Sequence, residues 1–413
     1  MFPRGQFFAA SSAERGGGES VARSIPPALP FAVSEYEARH TALRAAMADA
    51  GIAVLVVTSP VNVCYLTGYV ASWYAPRLPI GVVVHARQSE LVFVDWSRHA
   101  DYVPMNAIHD ELVLVDYGTS PEELVSALRE RGWAEGAVGI EWFAPNPVAG
   151  VLRDIAAGLA AAGAEVVAGD YVVDDLRVRK SPAERRKMRR AGAMLDDAFE
   201  ELRTRLRPGL TELEVAALIT SLLAERGSEV PAQHALVSSG PTAWADVHAF
   251  PSDRRIERGE VVSIDACAVV DRYHVNLSRA FVIDGWNQTA DDYLRAGADC
   301  LAEFCRTAVV GQSPAAAMAS AERVLRDRVP AENIWWVGGY GFGLAFPPSW
   351  VGHTYLADDG PRPTPLGDGY TSNFETVLFH RGEGFEAAAI DTLLVEDGAV
   401  SALSRIPRAL LSV

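Results

Sequence analysis

Two different residue patterns divide this chain of 413 residues. From about residue 34 to 170, short apolar strands alternate with helical stretches, which predicts a three-layer α/β domain with a mostly parallel sheet. The predicted strands are 53–58, 80–84, 90–94, 137–140 and 165–168, and the predicted helices are 34–50, 121–131 and 146–162. Beyond residue 230, strands and hairpins dominate, with helices only near 290–306 and 314–328, so a second domain of another class is expected.

Local helix signals mark the boundary between these two domains. Ser181-Pro182-Ala183-Glu184 is a capping box with proline in the first turn, and it predicts a long helix to about residue 205. A second capping box, Thr211 to Glu214, follows the break at Pro208-Gly209. Because residues 1–33 have neither helical periodicity nor a long apolar stretch, we expect a flexible tail there, an N-terminal domain over 34–172 and a C-terminal domain over 173–413.

The charge balance restricts the kinds of partner. The formal net charge is −16, whereas nucleic acids and anionic membranes attract proteins with clustered Lys and Arg in surplus. No window of about 20 apolar residues occurs, so no membrane span is predicted. Four scattered cysteines without a C-x-x-C pair indicate a reducing compartment, and we expect a cytoplasmic protein whose partner is a small-molecule substrate.

A hairpin in the second domain brings polar residues together. The apolar stretches 261–264 and 268–270, followed by 273–283, predict a hairpin with a tight turn near Asp271-Arg272. We expect Asp265 to lie opposite Asn276, with Ser278 next along the same face of the sheet. A slip of one residue would move these side chains to opposite faces.

Short motifs in a fixed order extend over residues 34–405. In the N-terminal part they are Ser59-Pro60-Val61-Asn62 followed by Tyr65-Leu66-Thr67-Gly68-Tyr69, the linker Leu176 to Ser181, and Pro208-Gly209-Leu210-Thr211-Glu212. In the C-terminal part they are Ser239-Gly240-Pro241 before His248, Asp265 in its hairpin ending Ser278-Arg279, Gly339 to Leu344, Asn373-Phe374-Glu375 and Asp391 to Val395. With these motifs the chain resembles the creatinase, aminopeptidase P and methionine aminopeptidase superfamily. The resemblance implies an α+β C-terminal domain with the pita-bread fold.

The resemblance also implies where a metal would be bound in peptidases of this superfamily. The five ligand positions fall on Asp265, Asn276, Tyr340, Glu375 and Ile390, so three of the five usual ligands are replaced. A further histidine of the peptidases falls on Pro347. An isoleucine cannot coordinate a metal and asparagine and tyrosine do so weakly, so we expect no bound metal and no other cofactor.

Creatinase, which works without metal, suggests the chemistry instead. Its catalytic histidine falls on His248 and one of its substrate-binding glutamates on Glu375, while Ser278 stands where it has a second glutamate. An imidazole can take a proton from water and return it to a leaving nitrogen. Two ionised carboxylates close together need a cation between them or a shared proton. Asp265 and Glu375 could therefore hold a cationic substrate. The alternative is that Asp265 is only hydrogen-bonded to Asn276.

Most of the other candidate site residues have two possible roles. Tyr340 either donates a hydrogen bond to an oxyanion or packs as an ordinary aromatic residue. His353 is expected to reach the pocket in place of the histidine lost at position 347, and Arg77 to clamp a carboxylate unless it is simply solvated. Trp335 and Trp336 form either core or a cation-binding wall. The remaining candidate substrate-binding residues are Asn276, Ser278 and Tyr69.

These residues together favour a metal-independent, homodimeric hydrolase of creatinase type, with the active site shared between subunits. It would cleave a C–N bond in a small polar substrate with a cationic or amidine-like nitrogen, for example a guanidine or a cyclic amidine such as ectoine. His248 would be the general base and acid. A lyase or cyclase that uses the same histidine, a non-catalytic binding protein and a degenerate aminopeptidase are the alternatives.

Overall fold

The computed structural model describes residues 23–356 and 364–413, except residues 242, 246 and 247. The N-terminal domain contains a six-stranded sheet in the order β4-β3-β2-β1-β5-β6. Its strands are β1 Val54–Val57, β2 Gly81–His85, β3 Leu91–Trp96, β4 Glu111–Val115, β5 Ala137–Ile140 and β6 Glu165–Ala168. Its helices are α1 Val33–Asp49, α2 Pro60–Thr67, α3 Tyr102–Asn106, α4 Ser120–Glu130, α5 Ala149–Ala161 and α6 Val172–Arg177.

The sheet of the N-terminal domain is mixed rather than uniformly parallel. The pairs β1–β5, β5–β6 and β3–β4 are parallel, whereas β1–β2 and β2–β3 are antiparallel. Strands β2 and β3 are joined by a short turn, which forces them to run in opposite directions. The α/β class predicted from the sequence is therefore confirmed. Strand β4 and helices α2, α3 and α6 were not predicted.

The C-terminal domain contains an eight-stranded sheet in the order β10-β11-β12-β9-β8-β7, with β13 paired to β12 and β14 to β9. Its strands are β7 Leu236–Ser239, β8 Val261–Val270, β9 Tyr273–Val282, β10 Ile334–Gly338, β11 Thr371–His380, β12 Phe385–Glu396, β13 Ala399–Ala402 and β14 Leu411–Ser412. Its helices are α7 Pro182–Arg205, α8 Glu212–Glu225, α9 Gln288–Thr307 and α10 Ala315–Arg326. Helices α7, α8 and α9 pack against the sheet, as expected for an α+β domain.

The predicted register of the β8–β9 hairpin is wrong by two residues. Asp271 and Arg272 form the turn with positive φ angles of 49° and 66°, so Val270 pairs with Tyr273. Asp265 consequently pairs with Ser278 rather than with Asn276. Because side chains alternate with a period of two, the shift leaves all three on the predicted face of the sheet.

Both capping boxes occur as predicted. In each one the first residue's hydroxyl accepts a hydrogen bond from the backbone N–H of the glutamate, and the glutamate accepts one from the backbone N–H of the first residue. These bonds satisfy amide groups that have no partner within the helix. Four residues separate the end of α6 at Arg177 from the start of α7 at Pro182, so the connection between the two domains is short.

Part of the expected N-terminal tail is packed onto the domain. Residues 1–22 lie outside the described part, but Phe31 is buried against Tyr36 and Tyr273, and Arg23 forms an ion pair with Asp110. Burial of the aromatic ring of Phe31 holds this part of the chain on the domain, so the flexible tail predicted for residues 1–33 does not extend to Phe31. No helix in the described part of the chain is long and apolar enough to cross a membrane.

A buried ion triad lies beneath the C-terminal sheet. Asp391 on β12 is fully buried and accepts hydrogen bonds from Arg279 on β9 and from Arg408 near the C-terminus. Arg408 also donates to the carbonyl of Phe374 on β11 at 2.7 Å. The triad therefore connects the three adjacent strands whose opposite faces border the cavity described next.

Candidate active site

One row of paired residues crosses the C-terminal sheet and sets up the site. The strand register places these residues side by side on five neighbouring strands: Asp265, Ser278, Ile390, Glu375 and Gly338. The row borders a cavity of about 410 Å³. On β8, β10, β11 and β12, residues two positions along the strand line the same cavity, in agreement with the alternation of side chains.

Two asparagine amides connect the carboxyl groups of Asp265 and Glu375. Asn276 donates from Nδ2 to Asp265 Oδ1 and accepts at Oδ1 from Asn373 Nδ2 at 3.2 Å. Asn373 Nδ2 also donates to Glu375 Oε1 at 3.2 Å. Since Asn276 and Asn373 are almost completely buried, these amides are held in place and orient both carboxyl groups.

Aromatic side chains lie around the Glu375 carboxylate. The Tyr340 phenol and the Trp336 indole lie close enough to it to favour its ionised form and so oppose the rise of its pKa. Trp350 Nε1 donates a hydrogen bond to the Tyr340 oxygen at 3.1 Å, which holds the phenol in the wall of the cavity. A hydrogen bond from Tyr340 to a substrate oxyanion stays a prediction.

Burial raises the pKa of both carboxyl groups. The pKa of Asp265 rises to about 7, because burial outweighs the hydrogen bond from Asn276 and the charge of Glu375 adds to the effect. Burial also raises the pKa of Glu375, although the hydrogen bonds from Asn373, Tyr340 and Trp336 oppose it. Near neutral pH the pair can therefore hold one proton or attract one organic cation.

The residues around the two carboxylates do not fit a resident divalent metal. A metal needs lone pairs directed at it, whereas the amide hydrogens of Asn276 and Asn373 face the oxygen atoms of Asp265 and Glu375. Ile390 lies between them in the row and has no donor atom. Among the described residues, no group of three or more His, Cys, Asp or Glu side chains could hold a metal ion.

A third carboxyl group lies at the other end of the cavity. Glu386 is 5% exposed, precedes Ile390 by four positions on β12, and accepts a hydrogen bond from Ser238 at 2.6 Å. Its backbone carbonyl accepts a hydrogen bond at 3.2 Å from Ser263, which lies two positions from Asp265 on β8. The cavity is thus a trough with Asp265 and Glu375 at one end, which we call the inner end, and Glu386 at the other, which we call the outer end.

His248 lies at the outer end of the trough. Its ring packs edge-on against Trp335 with 5.5 Å between centroids, and Trp335 lies 6.3 Å from Phe379, the residue paired with Glu386. His248 is exposed, and it lines the same cavity as the carboxyl groups at the inner end. One bound ligand can therefore contact both His248 and the inner carboxyl pair.

The floor of the trough carries a free hydroxyl group. Ser278 is completely buried, and its oxygen has no hydrogen-bond partner in the described part of the protein. A buried hydroxyl without a partner costs about 1–3 kcal/mol, which a bound ligand or water would recover. Ser278 is thus placed to bind a polar group of a substrate.

Three of the predicted site residues lie elsewhere. His353 is on the wall of a separate cavity of about 330 Å³ between the domains, where its Nε2 lies 3.1 Å from Asp175 and its ring packs on Tyr171. The expectation that His353 replaces the histidine missing at 347 is wrong, because the chain reverses at Pro347-Pro348 and carries residue 353 to the other side of the wall. Tyr69 is buried in the N-terminal core and donates to Asp95 at 2.7 Å.

Arg77 is exposed on the N-terminal domain and does not line this cavity. A role for it in the cavity of a second copy of the chain stays a prediction. The two other predicted residues, Asn276 and Tyr340, contact the carboxyl pair as described above.

Several residues of the site were not identified from the sequence. Glu386, Asn373 and Ser238 were overlooked, and Trp336 had an open choice between core and ligand contact. The signal for Glu386 was the period of two along β12, since Glu386, Ala388 and Ile390 alternate with residues of the opposite face. Asn373 stands two positions before Glu375 on β11 and could have been found in the same way.

Comparisons with known proteins agree with the two-domain fold. The Creatinase/Prolidase N-terminal domain model matches residues 39–179, and the Metallopeptidase family M24 model matches residues 186–397. The ectoine hydrolase of Halomonas elongata is 24% identical over 94% of this chain and 99% of its own length. The probable dipeptidase PepE of Mycobacterium tuberculosis is 30% identical over 92% of this chain and 97% of its own length.

Solved structures show the same fold. The prolidase from Thermococcus sibiricus superposes with a TM-score of 0.80 at 20% identity, covering 92% of this chain and 99% of the prolidase chain. A dipeptidase from Pyrococcus horikoshii OT3 gives a TM-score of 0.77 at 21% identity over 91% of this chain and 100% of its own. At these identities the likeness establishes the architecture alone.

Proposed function

The chain belongs to the metallopeptidase family M24, and within this family we propose that it is a C–N hydrolase that works without a bound metal on a small substrate with a cationic or amidine-like nitrogen. The C–N hydrolase part is supported by relatives named as an ectoine hydrolase and as dipeptidases. The observation that carries the rest is the inner carboxyl pair, whose oxygens accept hydrogen bonds from the amides of Asn276 and Asn373.

In this proposal the inner pair binds the positive charge of the substrate. Asp265 and Glu375 both have raised pKa values, so a cation that keeps both ionised gains attraction from each. The amides of Asn276 and Asn373 and the phenol of Tyr340 keep the carboxyl groups oriented during binding. The indoles of Trp336 and Trp350 provide an apolar wall that also favours cations.

His248 performs the proton transfers in this proposal. It takes a proton from a water molecule, whose oxygen adds to the carbon of the C–N bond, and it then gives the proton to the leaving nitrogen as that bond breaks. An amidine gives an amide and an amine, a guanidine gives a urea and an amine, and an N-acyl amine gives an acid and an amine. Water is the only other reactant consumed. Ser278 offers a hydrogen bond within the trough that steadies the substrate.

The test uses enzyme dialysed against a chelator, with its metal content measured by mass spectrometry. We expect turnover of amidines, guanidines or N-acyl amines by the metal-free enzyme, with one heavy oxygen atom from labelled water in the product. Activity that is lost on chelation and returns with manganese, cobalt or zinc would refute the proposal. An acid, amide or urea product without incorporated label would indicate that its oxygen did not come from water, and a product without an added oxygen would indicate elimination or cyclisation.

Substitution of two histidines, one in the cavity and one outside it, tests the role of His248. His248→Ala should lower kcat by about 100-fold or more while ligand affinity is retained, because a positioned acid–base group contributes rate rather than ground-state binding. His234→Ala is the control, since His234 is an exposed histidine that stacks on Phe250 in the neighbouring loop. Equal activity of the two variants would remove His248 from the mechanism.

A further inference from the structure

A second cavity lies between the two domains, separate from the trough. It has a volume of about 330 Å³, and we call it the interdomain cavity. Its lining includes Asn62 and Tyr171 of the N-terminal domain, the segments 341–345 and 349–355 of the C-terminal domain, and Lys180 in the connection between α6 and α7. The proposed hydrolysis takes no acid, base or nucleophile from this cavity.

Lys180 is one of only two lysines in the chain. Of the 37 Lys and Arg residues, 35 are arginine, and the second lysine is Lys187. The ammonium group of Lys187 donates to the carboxylate of Asp271, which is a usual environment for a lysine. Lys180 is 8% exposed, and its Nζ donates to the backbone carbonyl of Val178 at 3.2 Å. Lys180 is therefore the one buried lysine of the chain.

The amine of Lys180 has too few partners for a charged ammonium group. An ammonium group has three hydrogens to donate, whereas the carbonyl of Val178 is the one acceptor of Lys180 Nζ in the described part of the chain, and no carboxylate there forms an ion pair with it. Glu184 follows within one helical turn, but its two oxygens accept hydrogen bonds from the Ser181 backbone N–H at 2.7 Å and the Tyr273 hydroxyl at 2.6 Å. The uncharged amine, with fewer hydrogens to satisfy, suits this position better.

This amine is held at the edge of the interdomain cavity. The Lys180 backbone N–H donates to the carbonyl of Gly369 at 2.7 Å. A Cβ atom on Gly343 would lie 2.8 Å from Lys180 Cε and 3.5 Å from Nζ, so the end of the side chain packs on a glycine that lines the cavity. Burial lowers the pKa of Lys180 to about 7 against the charge of Glu184, and the charge of Arg177 lowers it further. Near neutral pH a large fraction of the amine is therefore uncharged and nucleophilic.

The charges around the interdomain cavity disfavour an anionic ligand. The acidic residues that line it are Glu141, Asp170, Asp174 and Glu184, and the basic residues are Arg177, Lys180 and His353. Arg177 is already paired with Asp174, and His353 lies 3.1 Å from Asp175. A carboxylate or phosphate would therefore meet more negative charge than free positive charge. Carbon dioxide is disfavoured for the same reason, because it would turn the amine into an anionic carbamate.

We propose that the interdomain cavity is a second small-molecule site, in which the amine of Lys180 binds an uncharged aldehyde as an imine. The nitrogen adds to the carbonyl carbon, and one proton moves from the nitrogen to the oxygen. The C–O bond then breaks, and the oxygen leaves as water with the second proton of the amine. Addition of water reverses these steps, so no oxidant, reductant or other reactant is needed. The rings of Phe143, Tyr171 and Trp350 line the same cavity and favour an aromatic or alkyl group on the aldehyde.

Reductive trapping measures this reaction on the intact protein. Benzaldehyde is titrated at neutral pH in the presence of cyanoborohydride, which reduces an imine to a stable amine, and the modified lysines are identified by peptide mass spectrometry. We expect saturable labelling of Lys180, at least ~10-fold faster than that of Lys187. 4-Carboxybenzaldehyde, which adds one carboxylate, should label Lys180 at least ~10-fold more slowly than benzaldehyde. Equal labelling of the two lysines, labelling without saturation, or no preference for the uncharged aldehyde would overturn the proposal.

Two matched variants assign the adduct to the cavity. Lys180→Met keeps an unbranched side chain and lacks the amine, so it should abolish the saturable labelling. Lys187→Met is the control and should retain it. Saturable labelling of the same extent in Lys180→Met would contradict the assignment, and the comparison of the two lysines in the wild-type protein decides the matter even if Lys180→Met does not fold.

Discussion

At the residue scale, the site depends on which atoms face the carboxyl groups of Asp265 and Glu375. Asn276 occupies a position where a carboxylate would contribute charge, and its amide contributes a hydrogen-bond donor instead. Asn373 extends this contact to Glu375. These amide donors favour the ionised forms of the two carboxyl groups, whereas burial favours their protonated forms and raises both pKa values.

The raised pKa of Asp265 makes stability depend on pH. The pKa rises from 3.8 to about 7, so the folded state binds a proton more tightly than the unfolded chain, and ionising Asp265 in the folded protein costs free energy. Stability contributed by the protonated form is therefore present below pH ~4 and is lost as pH rises to about 7. Asp265→Asn should remove this loss and raise the free energy of unfolding at pH 8 by a few kcal/mol, at about 1.4 kcal/mol per pKa unit.

Urea unfolding of wild-type and Asp265→Asn protein at pH 5 and pH 8 measures this effect. The difference between the two proteins should grow with pH over that interval. Asp253→Asn, at an exposed aspartate, is the control and should leave the free energy of unfolding nearly unchanged at both pH values. A constant difference across the interval would show that Asp265 does not titrate there.

At the element scale, the starts of the helices could be predicted from short sequence motifs, whereas the register of the hairpin could not. The capping boxes at Ser181 and Thr211 were predictable because every atom they use lies within four consecutive residues. The β8–β9 turn was placed correctly at Asp271-Arg272, but its pairing was not, because the register depends on how many residues the turn contains. Strand β4 was missed although residues 112–115 form a short apolar run typical of a strand, so the signal was present in the sequence and was overlooked.

The capping box of α8 has a measurable effect on stability. Thr211 accepts the hydrogen bond from the backbone N–H of Glu214 at 3.0 Å, so Thr211→Ala should lower the free energy of unfolding by about 1 kcal/mol. Thr220→Ala, at an exposed position within the same helix, is the matched control. Because alanine has the higher helix propensity, this control should be neutral or slightly stabilising, and equal losses in both variants would argue against the cap.

At the scale of the whole molecule, the Arg279–Asp391–Arg408 triad connects the C-terminal segment with the strands that carry the site. The opposite faces of those strands present Ser278, Ile390 and Glu375 to the trough. The triad carries one more positive than negative charge, and the carbonyl groups of Phe374 and Ile406 accept further hydrogen bonds from the two arginines. The geometry of the site is thus coupled to the last residues of the chain.

Removing the charge of Asp391 should destabilise the whole C-terminal domain. Asp391→Asn leaves two buried guanidinium groups without their carboxylate, and we expect the free energy of unfolding to fall by about 3–5 kcal/mol. Asp299→Asn is the control, because Asp299 pairs with Arg328 at the surface and an exposed pair contributes about 0–1 kcal/mol. A loss below about 1 kcal/mol for Asp391→Asn, measured by urea unfolding, would mean that water or other groups compensate the arginines.

The sequence by itself determined the order of the two domains, the capped helices, the face of the hairpin that carries Asp265, and the loss of metal ligands at Tyr340 and Ile390. All of these depend on residue types and short spacings, which a linear chain displays directly. Only the tertiary structure placed Glu386 in the same cavity as Asp265, moved His353 to a different one, and put His248 at the far end of a trough. Those relations depend on how separate strands curve and pair, because contacts between distant segments are set by packing and register rather than by local preference.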